Sequence, residues 1–350
     1  MKNTIFFIFL LASNFSFAEK KNSTFYAANN PKIKYTGRID FTNPTLPRFW
    51  QPGVYINIKF KGTDCRIILN DEMLWGKNHN YVEIILDGKE KRIQTKAATD
   101  TIIIGETLGA GTHELTIVKN TEANIGYLEF GGIICEKLLA ASANPLRKIE
   151  FIGDSITCGA SSDTSSVPCG KGVWQDQHNA YLSYGAVTAR SLNAQYHINA
   201  VSGIGLIHSC CNMKEAMPQL YDNISMRDDT IQWQFKNYIP DVVTVCLGQN
   251  DGVQDSAAFC NAYVNFLKKI RTNYPSSKII CLTSPMADAT LKSFMIKMIT
   301  SVVKKMNDKN VSSFFFANQY INGCDSHPSV SDHAKIAEEL ITGIKKVKGW

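Results

Sequence analysis

The feature that most constrains the fold of this chain is a change of hydrophobic periodicity near residue 145. Before that point the sequence contains short runs in which apolar and polar residues alternate, such as 54–60, 81–86 and 113–118. Alternation with a period of two is typical of strands that bury one face. Because Gly, Asn and Asp separate these runs and no long amphipathic helix interrupts them, the pattern predicts a β-sandwich or jelly-roll domain over 19–145.

Beyond residue 145 the pattern changes to strands that alternate with helices. This alternation predicts a three-layer α/β domain over 146–350, with a parallel sheet between two layers of helices. A length of 350 residues agrees with two domains. The predicted strands are 148–152, 195–201, 241–247, 278–283 and 311–316, and the predicted helices are 178–192, 255–273, 288–307 and 332–347.

The first 18 residues have the composition of an export signal. Lys2 provides a positive charge, an apolar run covers 5–12, and 16–18 (Ser-Phe-Ala) fits a small-x-small cleavage site. The apolar run is too short to span a bilayer comfortably, and no later segment approaches a transmembrane length. The sequence therefore predicts a cleaved signal peptide over 1–18, a periplasmic or secreted protein, and no membrane partner.

Charge and cysteine spacing argue against two further classes of function. The formal net charge is +6 and the basic residues form no dense cluster, so no nucleic-acid partner is predicted. The ten cysteines lack the spacing of a zinc site, and histidines such as His178 have no nearby ligand-type partner, so no metal ion is predicted. Five loop cysteines are available for disulfides in an exported protein: Cys158, Cys169, Cys210, Cys211 and Cys324. Two others, Cys246 and Cys281, lie in apolar strand-like runs and are expected to be buried thiols.

Three polar blocks follow predicted strands of the α/β domain. Ser155, Gly203 and Asn250 each stand within a few residues of the end of a strand. In parallel sheets, functional residues gather outside the carboxyl ends of the strands. A serine hydroxyl attacks an ester only when a base takes its proton, and the late His327 offers that base. Since Asn250 also offers a polar group to stabilise an oxyanion, the ordered set predicts an esterase.

The segments around these residues resemble the SGNH, or GDSL-type, hydrolase superfamily, and more sharply carbohydrate esterase family 2. The resemblance lies in 151–159 (Phe-Ile-Gly-Asp-Ser-Ile-Thr-Cys-Gly) and 323–328 (Gly-Cys-Asp-Ser-His-Pro), while 49–53 and 60–63 are similar to the sandwich domain of that family. It covers nearly the whole chain after the signal peptide. It implies an enzyme that removes acetyl groups from hemicelluloses such as xylan or glucomannan through an acyl-enzyme, with no metal or organic cofactor.

The resemblance also implies a role for each site residue. Ser155 would be the nucleophile, and His327 would be the general base and then the acid that protonates the leaving sugar hydroxyl. The backbone N–H groups of Ser155 and Gly203, together with the Asn250 side chain, would form the oxyanion hole.

The third member of a catalytic triad is where this chain departs from the superfamily. The superfamily has an aspartate three residues before the histidine, where this chain has Cys324, and the nearest carboxylate is Asp325, two residues before. Two alternatives therefore stay open: a triad in which Asp325 orients His327, and a Ser-His dyad in which a backbone carbonyl does so. Ser326 stands where some relatives have an aromatic residue, so contacts with sugar rings are expected elsewhere.

Aromatic residues near the site are candidates for those contacts. Trp174 and Tyr181 lie in or just after a Cys- and Ser-rich insertion over 160–177 that is expected to border the cleft, and both are predicted to bind substrate. Core packing is an equally good interpretation of these side chains. In the sandwich domain, Trp50 and Trp75 are candidates for a glycan-binding face, although support of the catalytic domain is the preferred interpretation.

Two other functions fit the sequence less well. The first is another hydrolase of the same superfamily: a lipase, a thioesterase or an esterase that acts on peptidoglycan acetyl groups. The second is a carbohydrate-binding protein with a degenerate hydrolase domain, which a missing catalytic residue would mark.

Overall fold

The first half of the chain folds into an antiparallel all-β domain. The computed structural model describes residues 23–106, 108–227 and 230–350, and the predicted signal peptide over 1–18 lies outside them. Within the described residues this domain has nine strands, and the pairings between them are antiparallel. The strands are β1 (Thr24–Ala27), β2 (Lys34–Thr36), β3 (Arg48–Phe49), β4 (Tyr55–Asp71), β5 (Tyr81–Leu86), β6 (Lys89–Gln94), β7 (Thr99–Gly105), β8 (Thr112–Lys119) and β9 (Leu128–Leu139).

The long strand β4 organises this domain. Its first part pairs with β8 over 55–61 and its second part pairs with β7 over 65–70, while β9 runs along both parts. Alternate side chains of β4 point into the apolar core, with Phe60 fully buried. The sequence predicted only 54–60 because Lys-Gly-Thr-Asp at 61–64 breaks the alternation, and the register of β4 against β9 shifts at this point.

The second half forms a three-layer domain around a parallel sheet. The described residues give it β10 (Arg147–Gly153), β11 (Ala194–Ala200), β12 (Val242–Cys246), β13 (Lys278–Leu282), β14 (Val311–Phe314), α1 (Ser155–Cys158), α2 (Tyr184–Ser191), α3 (Met217–Leu220), α4 (Ser256–Asn273), α5 (Ala289–Met306) and α6 (Val330–Lys348). The strands lie in the order β11-β10-β12-β13-β14 and run parallel. This confirms the predicted succession of an all-β domain and an α/β domain.

The predicted elements of the second domain match the observed ones, except at one helix. All five strands are present, with ends that differ by at most two residues. The helix predicted over 178–192 is wrong at its start, because α2 begins at Tyr184. Short 3-10 turns at Trp174–Gln177 and Ala180–Leu182 precede it, and the Asn179 side chain accepts a backbone N–H of the second turn, which competes with a continuous helix.

Alternate residues of β10 face two separate apolar cores. Phe151 shares a core with Tyr184 of α2 and Leu340 of α6. On the other face, Ile152 shares a core with Phe259 of α4. Burial of these side chains is the main favourable contribution to holding the layers together. Because both faces of the sheet are covered, polar side chains near the strands gather at its carboxyl edge. In the described ranges, no helix is long and apolar enough to cross a bilayer.

Arg38 anchors the first domain in the second. Its buried guanidinium donates to Glu150 Oε1 on β10 at 3.1 Å and to the carbonyl oxygens of Tyr221 and Asn223. The Tyr221 ring centre lies 4.9 Å from the guanidinium carbon. A buried charge is tolerated only when it is paired and hydrogen-bonded, so this contact stabilises the observed relation of the two domains.

Candidate active site

Ser155 lies in the first turn of α1, just beyond the carboxyl end of β10. Asp154 caps this helix, since its Oδ1 accepts the Ile156 N–H at 3.1 Å. Gly159 follows the helix in the left-handed conformation (φ 71°), where a Cβ would lie 2.5 Å from the Asn179 carbonyl oxygen. The strand, the cap and the glycine therefore hold Ser155 at the sheet edge.

The structure brings His327 next to Ser155 across a chain separation of 172 residues. The imidazole Nε2 lies 2.9 Å from the Ser155 Oγ, and Nδ1 lies 3.1 Å from the backbone carbonyl oxygen of Asp325. Because a carbonyl oxygen only accepts, Nδ1 carries the proton and Nε2 is the acceptor for the serine hydroxyl. Burial lowers the pKa of His327 below its ordinary value. The imidazole is therefore neutral at neutral pH and able to take a proton.

Asp325 contacts the imidazole through its backbone rather than its carboxylate. Within the described residues, no hydrogen bond or ion pair joins the Asp325 carboxylate to His327. Asp325 and Ser326 both have left-handed backbone angles, with φ of 51° and 57°. This turn directs the Asp325 carbonyl oxygen at Nδ1. Of the two alternatives that the sequence left open, the geometry corresponds to a Ser-His dyad oriented by a carbonyl group.

A disulfide fixes the turn that carries His327. Cys324 is bonded to Cys169 of the long insertion, and the Cys324 N–H donates to the Ser161 carbonyl oxygen at 2.9 Å. The Gly323 N–H donates to the His327 carbonyl oxygen at 2.6 Å, which closes the turn. The insertion and the histidine turn are therefore held together beside α1.

Gly203 follows β11, the strand next to β10. It has φ 83°, and a Cβ there would lie 2.8 Å from the Cys210 Sγ, so a larger residue does not fit without displacing its neighbours. In the described part of the chain, the backbone N–H groups of Ser155 and Gly203 donate to no other protein group. Two donors are therefore available at the ends of adjacent strands.

Asn250 and Asp251 follow β12 and join the serine turn to the Gly203 loop. The Asn250 Nδ2 donates to the Ile204 carbonyl oxygen at 2.9 Å and lies 3.3 Å from Asp154 Oδ2. The Asp251 carboxylate accepts the backbone N–H groups of 206–208 at 2.7–3.0 Å. Burial raises the pKa of Asp154 to about 7, and the nearby Asp251 charge adds to this rise. Asp251 therefore fixes the loop, while both amide hydrogens of the predicted oxyanion donor Asn250 have acceptors within the protein.

The sequence analysis missed Glu122, a residue of the first domain that reaches this site. Its buried Oε2 accepts the Ser202 N–H at 2.5 Å and lies 3.4 Å from the Cys158 Sγ, while Oε1 lies 3.9 Å from His178 Nε2. Burial alone would raise the pKa of Glu122, but contact with His178 and the Ser202 N–H outweighs burial and lowers it. Glu122 is therefore charged and holds the residue that precedes Gly203.

No periodicity marks Glu122, because it lies in an irregular loop between β8 and β9. The loop is fixed from within, since Lys119 Nζ donates to the carbonyl oxygens of Thr121 and Glu122 at 2.6 and 3.2 Å. The contacts of the Glu122 carboxylate with Ser202, Cys158 and His178 lie in the second domain. His178, for which the sequence offers no nearby ligand-type partner, lies 3.9 Å from the Glu122 carboxylate of the first domain.

The two predicted substrate-binding aromatics have different environments. Trp174 is 39% exposed, and its ring packs edge-on against His178 with 4.2 Å between the ring centres. Tyr181 is only 7% exposed. Its hydroxyl donates to Glu90 at 2.7 Å, and the Arg190 guanidinium lies over its ring at 3.7 Å. Tyr181 thus packs against its neighbours and has little surface for a ligand, whereas Trp174 presents part of its ring to solvent.

The remaining cysteines are mostly structural. Cys246 and Cys281 are buried thiols, as predicted. Cys158, which was expected among the loop cysteines available for disulfides, is also a buried free thiol. A second disulfide joins the adjacent Cys210 and Cys211, close to Gly203. In the part of the chain that the structure describes, no group of three or more His, Cys, Asp or Glu side chains is placed to hold a metal ion.

Comparison with known proteins gives matches to both domains. Residues 35–145 match the family model described as "Carbohydrate esterase 2 N-terminal", and residues 151–311 match the "GDSL-like Lipase/Acylhydrolase family". A curated relative, cellulase/esterase CelE of Acetivibrio thermocellus, is 34% identical over 92% of this chain, which spans only 40% of that protein. An acetylxylan esterase / glucomannan deacetylase of Cellvibrio japonicus is 26% identical over 98% of this chain and 96% of its own length.

Solved structures extend the likeness to the whole architecture. A family two carbohydrate esterase from Cellvibrio japonicus has the same fold, with a TM-score of 0.86 at 24% identity. A family two carbohydrate esterase from Clostridium thermocellum, solved in complex with cellohexaose, superposes with a TM-score of 0.83. It is 33% identical, and the match covers 91% of this chain and 99% of that one. Identity at this level over both domains, together with the matching family models, makes this chain a member of carbohydrate esterase family 2.

Proposed function

We propose that this chain is an exported serine esterase that removes O-acetyl groups from hemicellulose polysaccharides or oligosaccharides through an acyl-enzyme. The observation that carries the proposal is the 2.9 Å contact between Ser155 Oγ and His327 Nε2, in a tautomer that leaves Nε2 free to accept a proton. The names of the relatives, which include acetylxylan esterase and glucomannan deacetylase, support the substrate class.

In the first half of the reaction, Ser155 attacks the acetyl carbonyl carbon while His327 Nε2 takes the hydroxyl proton. The carbonyl oxygen becomes an oxyanion, which the backbone N–H groups of Ser155 and Gly203 would stabilise. The Asn250 amide would join them by giving up its 3.3 Å contact with Asp154. One such preorganised donor typically lowers the barrier by about 3 kcal/mol. Collapse of the intermediate breaks the bond between the acetyl carbon and the sugar oxygen, and the sugar oxygen takes the proton from Nε2. The acetyl group stays on Ser155.

Water completes the cycle by the same groups in reverse. His327 Nε2 takes a proton from water, and the resulting hydroxide adds to the acetyl carbonyl carbon. The bond to Ser155 Oγ then breaks, Oγ recovers its proton from Nε2, and acetic acid leaves and ionises to acetate in the solvent. The Asp325 carbonyl oxygen accepts the hydrogen bond from Nδ1–H throughout, which keeps the imidazole in one orientation. No other protein group has to change its protonation state.

The direct test is acetate release from acetylated xylan and acetylated glucomannan by the wild-type protein and by Ser155→Ala. We expect release by the wild type and a loss of at least about 10³-fold in the variant, because removal of a nucleophile leaves only binding and the oxyanion donors. Activity that rises steeply with acyl chain length on p-nitrophenyl esters would instead indicate a lipase or thioesterase. Acetate release from acetylated peptidoglycan alone would indicate a peptidoglycan O-acetylesterase. Glycan binding without hydrolysis would indicate a carbohydrate-binding protein.

Export is the other part of this proposal. It is supported by the charge and hydropathy of residues 1–18 and by the Cys169–Cys324 disulfide, a bond that persists in oxidising compartments. Amino-terminal sequencing of the protein made in its own cell should give a mature chain that starts near Glu19 and is found outside the cytoplasm. A cytoplasmic protein that retains Met1 would contradict it.

A further inference from the structure

A cleft that the catalytic pair does not account for lies between the two domains. Its volume is about 580 Å³, within the range of small-molecule and sugar sites. The first domain supplies Trp75 and Asn78 on one side and Asn124 on another, and the long insertion of the second domain supplies Trp174 and Gln175. Both domains are therefore needed to form it.

Two tryptophan rings are presented to solvent in this cleft. Trp75 is 76% exposed, the most exposed tryptophan of the described residues, and Trp174 is 39% exposed. Indole rings bury a large apolar area when they gain a partner, so exposed ones that share a concave surface usually mark a binding site. Trp75 makes no ring stacking contact among the described aromatics, and its face is available.

The lining of the cleft selects for a neutral, hydroxyl-rich ligand. Its polar side chains are mainly the amides of Asn78, Asn124 and Gln175, which donate to and accept from hydroxyl groups. The lining contains no carboxylate and no arginine, and Lys77 is its one charged side chain. An acidic polymer would need more cationic partners than this. Indole faces, in turn, fit the apolar C–H faces of pyranose rings.

Two residues of the cleft walls are linked to the residues that support the catalytic site. Asn124 lies in the same loop as Glu122, whose carboxylate holds the Ser202 N–H at 2.5 Å. Trp174 packs on His178 with 4.2 Å between the ring centres, and His178 faces that same carboxylate. The cleft walls are therefore linked, through the buried Glu122 and His178, to the residues that hold the Gly203 loop.

We propose that Trp75 and Trp174 form a subsite that binds unacetylated residues of a neutral polysaccharide in the cleft between the two domains. The inference rests on the proposed function, because the chain held here is the one whose ester Ser155 would attack. It assigns a binding role to the first domain, through a residue that the sequence alone favoured as structural support.

The test measures binding separately from catalysis. Deacetylated glucomannan and xylohexaose, which carry no ester, are titrated into the intact protein by calorimetry, and p-nitrophenyl acetate hydrolysis is measured in parallel. We expect Trp75→Ala and Trp174→Ala each to raise Kd for at least one of these probes about tenfold. Trp75→Tyr, which keeps an aromatic face, should stay within about twofold of the wild type. Phe25→Ala is the matched control, since Phe25 is an exposed first-domain aromatic (52% exposed) outside the cleft, and it should bind as the wild type does.

Three results would overturn the inference. The first is wild-type affinity in both alanine variants, and the second is no binding of either neutral probe by the wild type. The third is tighter, salt-sensitive binding of polygalacturonate, which would mean an acidic ligand. Trp75→Ala keeps the test decisive if Trp174→Ala fails to fold, because the Trp75 ring is mostly in solvent. Failure of the proposed function would appear separately, as absent hydrolysis of p-nitrophenyl acetate and of acetylated polymers.

Discussion

The orientation of His327 by a backbone carbonyl leads to a sharp prediction for Asp325→Asn. The substitution removes the carboxylate charge and leaves the carbonyl oxygen that lies 3.1 Å from Nδ1. Asparagine is chosen because, like aspartate, it tolerates the left-handed backbone (φ 51°) found at this position. Any large loss of activity would then have to come from the charge and not from the turn.

The expected loss is small. The Asp325 side chain is exposed and makes no hydrogen bond or ion pair with the imidazole in the described structure. A unit charge in such a place stabilises the imidazolium by about 1 kcal/mol or less, which is a factor of about five in rate. A carboxylate that orients the imidazole directly is worth about 10⁴ in kcat. The two alternatives thus differ by about three orders of magnitude.

Steady-state kcat/KM for p-nitrophenyl acetate across pH distinguishes them. We expect a loss of about fivefold or less, and an acidic limb displaced to lower pH. The direction follows from charge: Asp325 raises the pKa of His327, so its removal lowers that pKa further and the base stays neutral at lower pH. His327→Ala provides the full loss for comparison. A 10³-fold drop in Asp325→Asn with intact folding would refute the carbonyl-oriented dyad.

Three further predictions concern the supports of the site. Glu122→Gln keeps an acceptor for the Ser202 N–H but removes the charge, so kcat for p-nitrophenyl acetate should fall about tenfold with little change in KM. An equal loss of kcat in a variant of an exposed glutamate far from Ser202 would contradict this. Gly203→Ala adds a Cβ at φ 83° and 2.8 Å from a sulfur atom, so kcat should fall about 100-fold, as when an oxyanion donor is lost; full activity would show that this N–H is dispensable. Replacement of both Cys169 and Cys324 by serine removes a crosslink over a separation of 155 residues. Urea denaturation should then show a loss of about 3 to 5 kcal/mol in the free energy of unfolding, and an unchanged midpoint would refute it.

The order and type of the elements in the second domain could be read from the sequence because local rules set them. The strands are apolar runs buried on both faces, and the ends of the long helices carry capping side chains such as Asp255, Asp288 and Ser329. Strand ends in a parallel sheet then place Ser155 and Asn250 near one another without further information. The same rules failed at β4, where a bulge interrupts the alternation.

The parts of the site that escaped prediction depend on contacts between distant segments. Glu122 and Ser202 are 80 residues apart and lie in different domains, so no spacing in the sequence connects them. The choice between the Asp325 carboxylate and its carbonyl depends on two left-handed residues in a row, a conformation that Asp and Ser tolerate but do not require. The choice between substrate binding and core packing for Tyr181 could not be made from the sequence, because a tyrosine beside a cleft has the same sequence signature whether its ring faces inward or outward.

The buried pairing of Arg38 with Glu150 means that the boundary visible in the sequence is not a boundary at which the protein can be divided. A hydrolase domain made alone would expose the cavity left by Arg38 and leave the buried Glu150 carboxylate without its cation. It would also lose the contact by which Glu122 of the first domain supports the Gly203 loop. The two domains should therefore unfold in one cooperative transition and behave as a single folding unit. A change of substrate in this chain would then have to come from the cleft walls and the insertion, because the first domain cannot be exchanged without loss of the Arg38 contact.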